Sequence, residues 1–123
     1  MELNTSGPFH TSQLKEASQA LAKELEAVEI NNIGATKVIK NIDGKPYGAG
    51  ENVKEILANH IVNPVRFADG LQTMIDMGID TFIEIGPGKT LAGFVKRTSK
   101  DVKIFNIYDA QTLECTIGGL KNE

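Results

Sequence analysis

Residues 81–97 read TFIEIGPGKTLAGFVKR. Five residues rich in β-branched and aromatic side chains, a Gly-Pro-Gly turn and then apolar residues at helical spacing predict a strand, a tight turn and a helix. The strand, 81–85, is apolar enough to be buried, and a second, VKIFNIY at 102–108, follows the helix. Strands joined through a helix pair in parallel, so this stretch points to an α/β protein. The turn also carries Gly88-Lys89-Thr90, the end of a phosphate-binding loop. Such a loop needs a further glycine five residues before its second one, and position 83 is Ile83. The spacing fails. Gly86 and Gly88 still leave backbone N–H groups at the start of a helix, so a small anion or nucleotide binder using Gly86–Thr90 stands beside the simpler reading, a turn that needs small residues.

Working outward, KVIKNI at 37–42 reads as a third strand closed by the turn signal Asp43-Gly44, and KPYGAG at 45–50 as a connector. Thr11 or Ser12 can cap a helix carrying Leu14, Ala17, Leu21, Leu25 and Val28 on one face, which INNIGA at 30–35 breaks. A second helix carries Val53, Ile56, Leu57 and Ile61. Asn63-Pro64 caps and starts a third with Phe67, Leu71, Met74 and Ile75, ended by Gly78. Asp109 caps a last helix that ends at Gly118-Gly119. The expectation is one segment, 1–123, with a three-stranded mainly parallel sheet and about five helices. Three strands are few for five helices, which suggests part of a larger fold.

Composition narrows the function. At 123 residues the chain is long enough for one modest domain, and 41% hydrophobic with 24% charged residues is globular rather than disordered. Lys and Arg are scattered and the net charge is −3, which argues against nucleic acid. No apolar run approaches the roughly 20 residues that span a bilayer. The N-terminus, MELNTSGPFH, is too polar for a signal peptide. The one cysteine, Cys115, allows no internal disulfide and fits a reducing cytoplasm; with two histidines it gives no expectation of a metal site.

SGPFHTS at 6–12 sets His10 directly after Gly-Pro-Phe. Near neutral pH histidine is the side chain best suited to take and return a proton, and a serine becomes a useful nucleophile when such a base is within reach. By itself a loop histidine is more often solvated or packed. In this chain SGPFHTS is followed by a leucine-studded helix, then NPVRF at 63–67, then IEIGPGKTLAGFVKR, and the chain closes on IFNIYDAQTLE. In that order and spacing the motifs resemble the C-terminal portion of the malonyl-CoA:acyl carrier protein transacylases of fatty acid synthesis.

The resemblance implies an α/β-hydrolase-like core, with the family's inserted ferredoxin-like subdomain absent from this sequence. It implies a ping-pong transfer of malonyl from malonyl-CoA, through a serine ester, to the phosphopantetheine thiol of acyl carrier protein, with no cofactor. His10 matches the catalytic histidine. His60, where glutamine is common in the family, matches the position whose backbone carbonyl orients it. Phe9 matches an aromatic that goes with selection of malonyl over methylmalonyl. The nucleophile elbow is not found: Ser6, Ser12, Ser18 and Ser99 sit in no G-x-S-x-G, and neither Arg66 nor Arg97 matches the family's substrate arginine. The chain therefore reads as a C-terminal segment that is inactive alone, with the serine supplied upstream and the missing N-terminal part or self-association covering its open faces. The alternative from another class is a non-catalytic module binding acyl carrier protein or another partner.

Overall fold

The computed structural model describes residues 7–31 and 34–121. Ser6 and residues 32–33 of the helix-breaking stretch lie outside the described residues. The chain divides into two compact units, Met1–Gly70 and Leu71–Glu123.

In the first unit the Thr11 hydroxyl accepts the Gln13 N–H at 3.4 Å. It starts a 3-10 turn, Ser12–Leu14, that runs into helix α1, Lys15–Glu26. Helix α2, Val53–His60, is capped by Asn52, whose side chain accepts from the Glu55 amide at 3.3 Å. The two helices are tied where the Ser18 hydroxyl donates to the carbonyl of buried Ala58 at 2.7 Å.

The expected strand at 37–42 is not one. Ile39 makes a single antiparallel bridge to Pro46, and the backbone closes on itself through Lys40 N–H to Lys45 O, Gly44 N–H to Lys40 O and Tyr47 N–H to Val38 O. The Asp43-Gly44 turn brings partners so near in sequence that the segment needs no sheet, and Pro46 has no N–H with which to extend a ladder. Lys40 is 6% exposed, its ammonium 2.7 Å from Glu51 Oε1 and 3.1 Å from Asp43 Oδ2. A buried cation is tolerable only when paired in this way. The hydrogen bond that Lys40 donates to Glu51 raises the Lys40 pKa above its ordinary value, so it stays charged. Glu51 also accepts the Gly48 N–H at 2.7 Å, fastening the loop to the start of α2.

Helix α3 spans Phe67–Asp76 rather than beginning at Pro64. Asn63 does not cap it, because its side-chain amide donates back to the Asn59 carbonyl at the end of α2. The tip of the 38–47 loop meets the first turn of α3: Arg66 N–H donates to Asn41 O at 2.7 Å, and Gly44 lies against Asp69 and Gly70.

The second unit opens with Leu71, 2% exposed. α3 ends as expected at Gly78, whose φ is +86°. Gly78 N–H reaches Ile75 O and Ile79 N–H reaches Met74 O, the paired bonds of a Schellman cap. Strand β1, Thr81–Ile85, pairs in parallel with β2, Lys103–Ile107, with Phe82 opposite Ile104. Helix α4, Thr90–Thr98, connects them and buries Ala92 and Val95. Among the described residues the sheet has these two strands, not three. β1 is not buried either: Ile83 and Ile85 are 41% and 80% exposed.

Helix α5, Ala110–Lys121, packs on β2 and runs through Gly118-Gly119 instead of ending there. Gly119 is small for packing, since a Cβ would lie 2.7 Å from the ring edge of Phe105. Asp109 does cap α5. Its carboxylate accepts the Thr112 N–H at 2.8 Å while the Thr112 hydroxyl accepts the Asp109 N–H at 3.1 Å, a reciprocal box.

Gly44 has φ +70°, and a Cβ there would lie 2.7 Å from both Asp69 Cβ and the Gly70 nitrogen. Gly44→Ala is expected to lower stability by about 2–4 kcal/mol, combining left-handed strain with overlap against backbone. Gly50→Ala, at φ +81° with open space around it, carries the strain alone. Denaturant midpoints of the two variants check the difference.

Candidate functional site

His10 sits between Phe9 and the start of the 3-10 turn with φ +58°, the one non-glycine residue at positive φ among the described residues. Such a conformation costs of the order of 1–3 kcal/mol and persists only where its surroundings hold it. Here the Thr11 hydroxyl clamps the turn, donating to Pro8 O at 2.8 Å and accepting from Gln13. The half-buried His10 ring brings Nδ1 within 3.0 Å of the backbone carbonyl of His60. That carbonyl belongs to the last residue of α2, one of the acceptors a helix end leaves without an intrahelical partner.

A carbonyl only accepts, so Nδ1 of His10 carries the hydrogen. The neutral ring is thereby left with a bare lone pair at Nε2. An imidazole anchored on one nitrogen and free on the other can remove a proton from a hydroxyl or thiol brought to it, then return it. Ser18 cannot serve as that hydroxyl in place, because it donates to Ala58 O.

The side chain of His60 is a second feature of this site. Its ring lies 4.7 Å from that of His10, tilted by 33°. Its Nε2 is buried with no hydrogen-bond partner. Burial first, and then the neighbouring His10, lower the His60 pKa below the ordinary histidine value. Phe9 is 63% exposed, its ring lying against Gly7.

The glycine turn of the second unit forms a different centre. Gly86 and Gly88 have φ +131° and +96°, conformations that L side chains rarely adopt. Gly86 N–H continues the ladder to Ile107 O at 2.8 Å. At the start of α4 the Leu91 and Ala92 amides donate to the two oxygens of Glu84, at 3.2 and 2.8 Å, and Asn106 Nδ2 donates at 3.0 Å. Two of the amides at the start of α4 are therefore engaged by the chain's own carboxylate. The Ala92 N–H above all holds the Glu84 pKa below its ordinary value. The sequence signal for this was a lone glutamate in an apolar strand just ahead of a turn and helix.

The site the described residues define is a turn-held histidine anchored on a distant backbone carbonyl, in an α/β segment. More particularly, the chain is similar along its whole length to part of the malonyl CoA-acyl carrier protein transacylases. It is 37% identical over 121 residues to the Bacillus subtilis (strain 168) protein, covering 98% of this chain and 38% of that relative. The crystal structure of the transacylase from Clostridium perfringens ATCC 13124 superposes with a TM-score of 0.92 at 40% identity, over 99% of this chain and 38% of that one. A malonyl-transacylase in complex with a type II PKS acyl-carrier protein gives a TM-score of 0.84 at 30% identity, over 98% of this chain and 38% of that one. No family model matches the chain.

Because the folded pKa of Glu84 is depressed, its carboxylate contributes stability above the unfolded glutamate value and loses it as pH falls through the folded one. Glu84→Gln is expected to lower the melting temperature at neutral pH. The gap between variant and wild type should close as the pH drops below the ordinary carboxylate range. Melting curves at several pH values check both the sign and the convergence.

Proposed function

We propose that the chain is the histidine-bearing segment of a cytoplasmic acyltransferase that moves malonyl from CoA to acyl carrier protein. The observation that carries this reading is the anchored His10, with Nε2 free, in a chain so similar to part of the transacylases. In this reading a serine from a part of the enzyme outside this sequence gives its proton to Nε2 of His10 and attacks the malonyl thioester. Collapse of the adduct expels the CoA thiolate, which takes that proton. The phosphopantetheine thiol of acyl carrier protein then gives its proton to His10 and attacks the serine ester, and the serine oxygen recovers the proton. The positive charge on His10 spreads toward Nδ1–H and the His60 carbonyl, so the anchor works hardest when the ring is protonated. The solved complex of a relative with an acyl-carrier protein supports the acceptor. The exposed Ile83 and Ile85 mark surface that the rest of such an enzyme, or a second copy, covers.

In the enzyme assembled with its serine-bearing part, His10→Ala is expected to lower malonyl transfer by about 100- to 10,000-fold. His60→Gln should cost far less, because the backbone carbonyl survives the substitution. Steady-state transfer to acyl carrier protein, with folding verified by circular dichroism, decides; near-normal transfer in His10→Ala overturns the assignment.

Phe9, next to His10 in sequence, presents its ring to solvent, and in this reading the ring meets an extra methyl on the substrate's α-carbon. Phe9→Ser is expected to raise turnover of methylmalonyl relative to malonyl by the about 1–3 kcal/mol that one methyl is worth. Competition between the two thioesters reads the ratio directly, and an unchanged ratio removes Phe9 from substrate selection.

A further inference from the structure

The carbonyl of His60 anchors His10, but its imidazole has no role in the transfer just described. That ring lies 4.7 Å from His10, and its Nε2 is buried without a partner. We infer that the imidazole of His60 makes the two histidines an acid-sensitive pair: the rings do not carry charge together, and the second proton parts them and releases His10 from its carbonyl. The inference deepens the reading of His10 as the base and rests on it for its functional meaning.

The geometry makes the second proton costly in two ways. An imidazolium donates from both nitrogens, so a charged His60 has an N–H at Nε2 that nothing accepts. An unmet buried donor is destabilising, and more so on a charged group. A charged His60 would also face a charged His10 ring to ring, in a half-buried place where water screens poorly. One influence acts the other way, since the C-terminus of α2 favours a cation there.

The other charged groups nearby do not compensate. α1 carries Lys15, Glu16, Lys23, Glu24 and Glu26, and α2 carries Lys54 and Glu55. None of these acts on His60 electrostatically; His10 alone does, and it works against the charge.

The sign of the stability effect follows. With its folded pKa depressed, His60 takes up its proton more readily in the unfolded chain. Stability is therefore lost as pH falls below the unfolded histidine value, about 6.5, down to the folded one. The opening it drives is local first, because the His10–His60 contact joins residues 50 apart in sequence through one hydrogen bond and one ring contact.

The chain has only two histidines, so a proton NMR titration of the intact chain shows two ring Hε1 signals and needs no catalysis. His60→Gln assigns them by deleting one. The expected result is a His60 signal that moves below the ordinary histidine value. In His10→Asn the His60 step should shift toward neutral pH, since its charged neighbour is gone. The fall in wild-type stability between neutral pH and pH 5 should be absent from His60→Gln. A wild-type His60 signal titrating at the ordinary histidine value overturns the inference, as does a His60 midpoint unmoved by His10→Asn. If either variant fails to fold, the wild-type titration still decides. Transfer assays do not enter, so a failed pair with His10→Ala still inactive refutes this inference alone. An active His10→Ala with the pair intact refutes the catalytic reading instead.

Discussion

A backbone carbonyl has no proton to give. That restriction, applied to one oxygen at the end of α2, fixes which nitrogen of His10 holds its hydrogen and which is free. Much of the first unit serves to put that oxygen in place. Asn52 starts α2, the Glu51–Lys40 pair fastens the loop before it, Ser18 ties α1 to Ala58 two residues before its end, and Thr11 holds the turn that presents the ring. A side-chain acceptor could rotate or become protonated. A main-chain oxygen near a helix terminus can do neither, so the tautomer of His10 does not depend on the ionisation of its partner.

The second unit uses the same economy with charge. α4 and α5 both begin against carboxylates from the chain itself, Glu84 across the glycine turn and Asp109 in a reciprocal box with Thr112. Each meets backbone N–H groups that would otherwise point at solvent, and each is held ionised by those groups. The resemblance of Gly88-Lys89-Thr90 to a nucleotide loop is thus local. The spacing was already wrong at Ile83, and two amides at the start of α4 already meet Glu84.

What the sequence disclosed and what it hid divide along physical lines. Periodic apolar faces gave α1, α2 and the β1–α4–β2 unit, since their signals lie within a few residues of one another. The Thr11, Gly78 and Asp109 signals were readable for the same reason. The segment 37–42 deceived because its alternation is that of a strand, while its partner is the few residues just beyond Gly44. Gly118-Gly119 deceived because a glycine pair marks a helix end unless a ring such as Phe105 needs the room. The pairing of His10 with position 60 was legible only through the family resemblance. The second ring at that position and the buried Lys40 cluster were not, because contacts 50 and 11 residues apart leave no local pattern.

The positive φ of His10 has a consequence for how the position evolves. Glycine is easier to place in that conformation than an imidazole, so the backbone here prefers a different residue from the one it carries. A library of variants ranked by heat resistance alone would drift at position 10 away from histidine. Retaining it takes pressure from something other than folding, and the left-handed twist of a single residue becomes a record of that pressure.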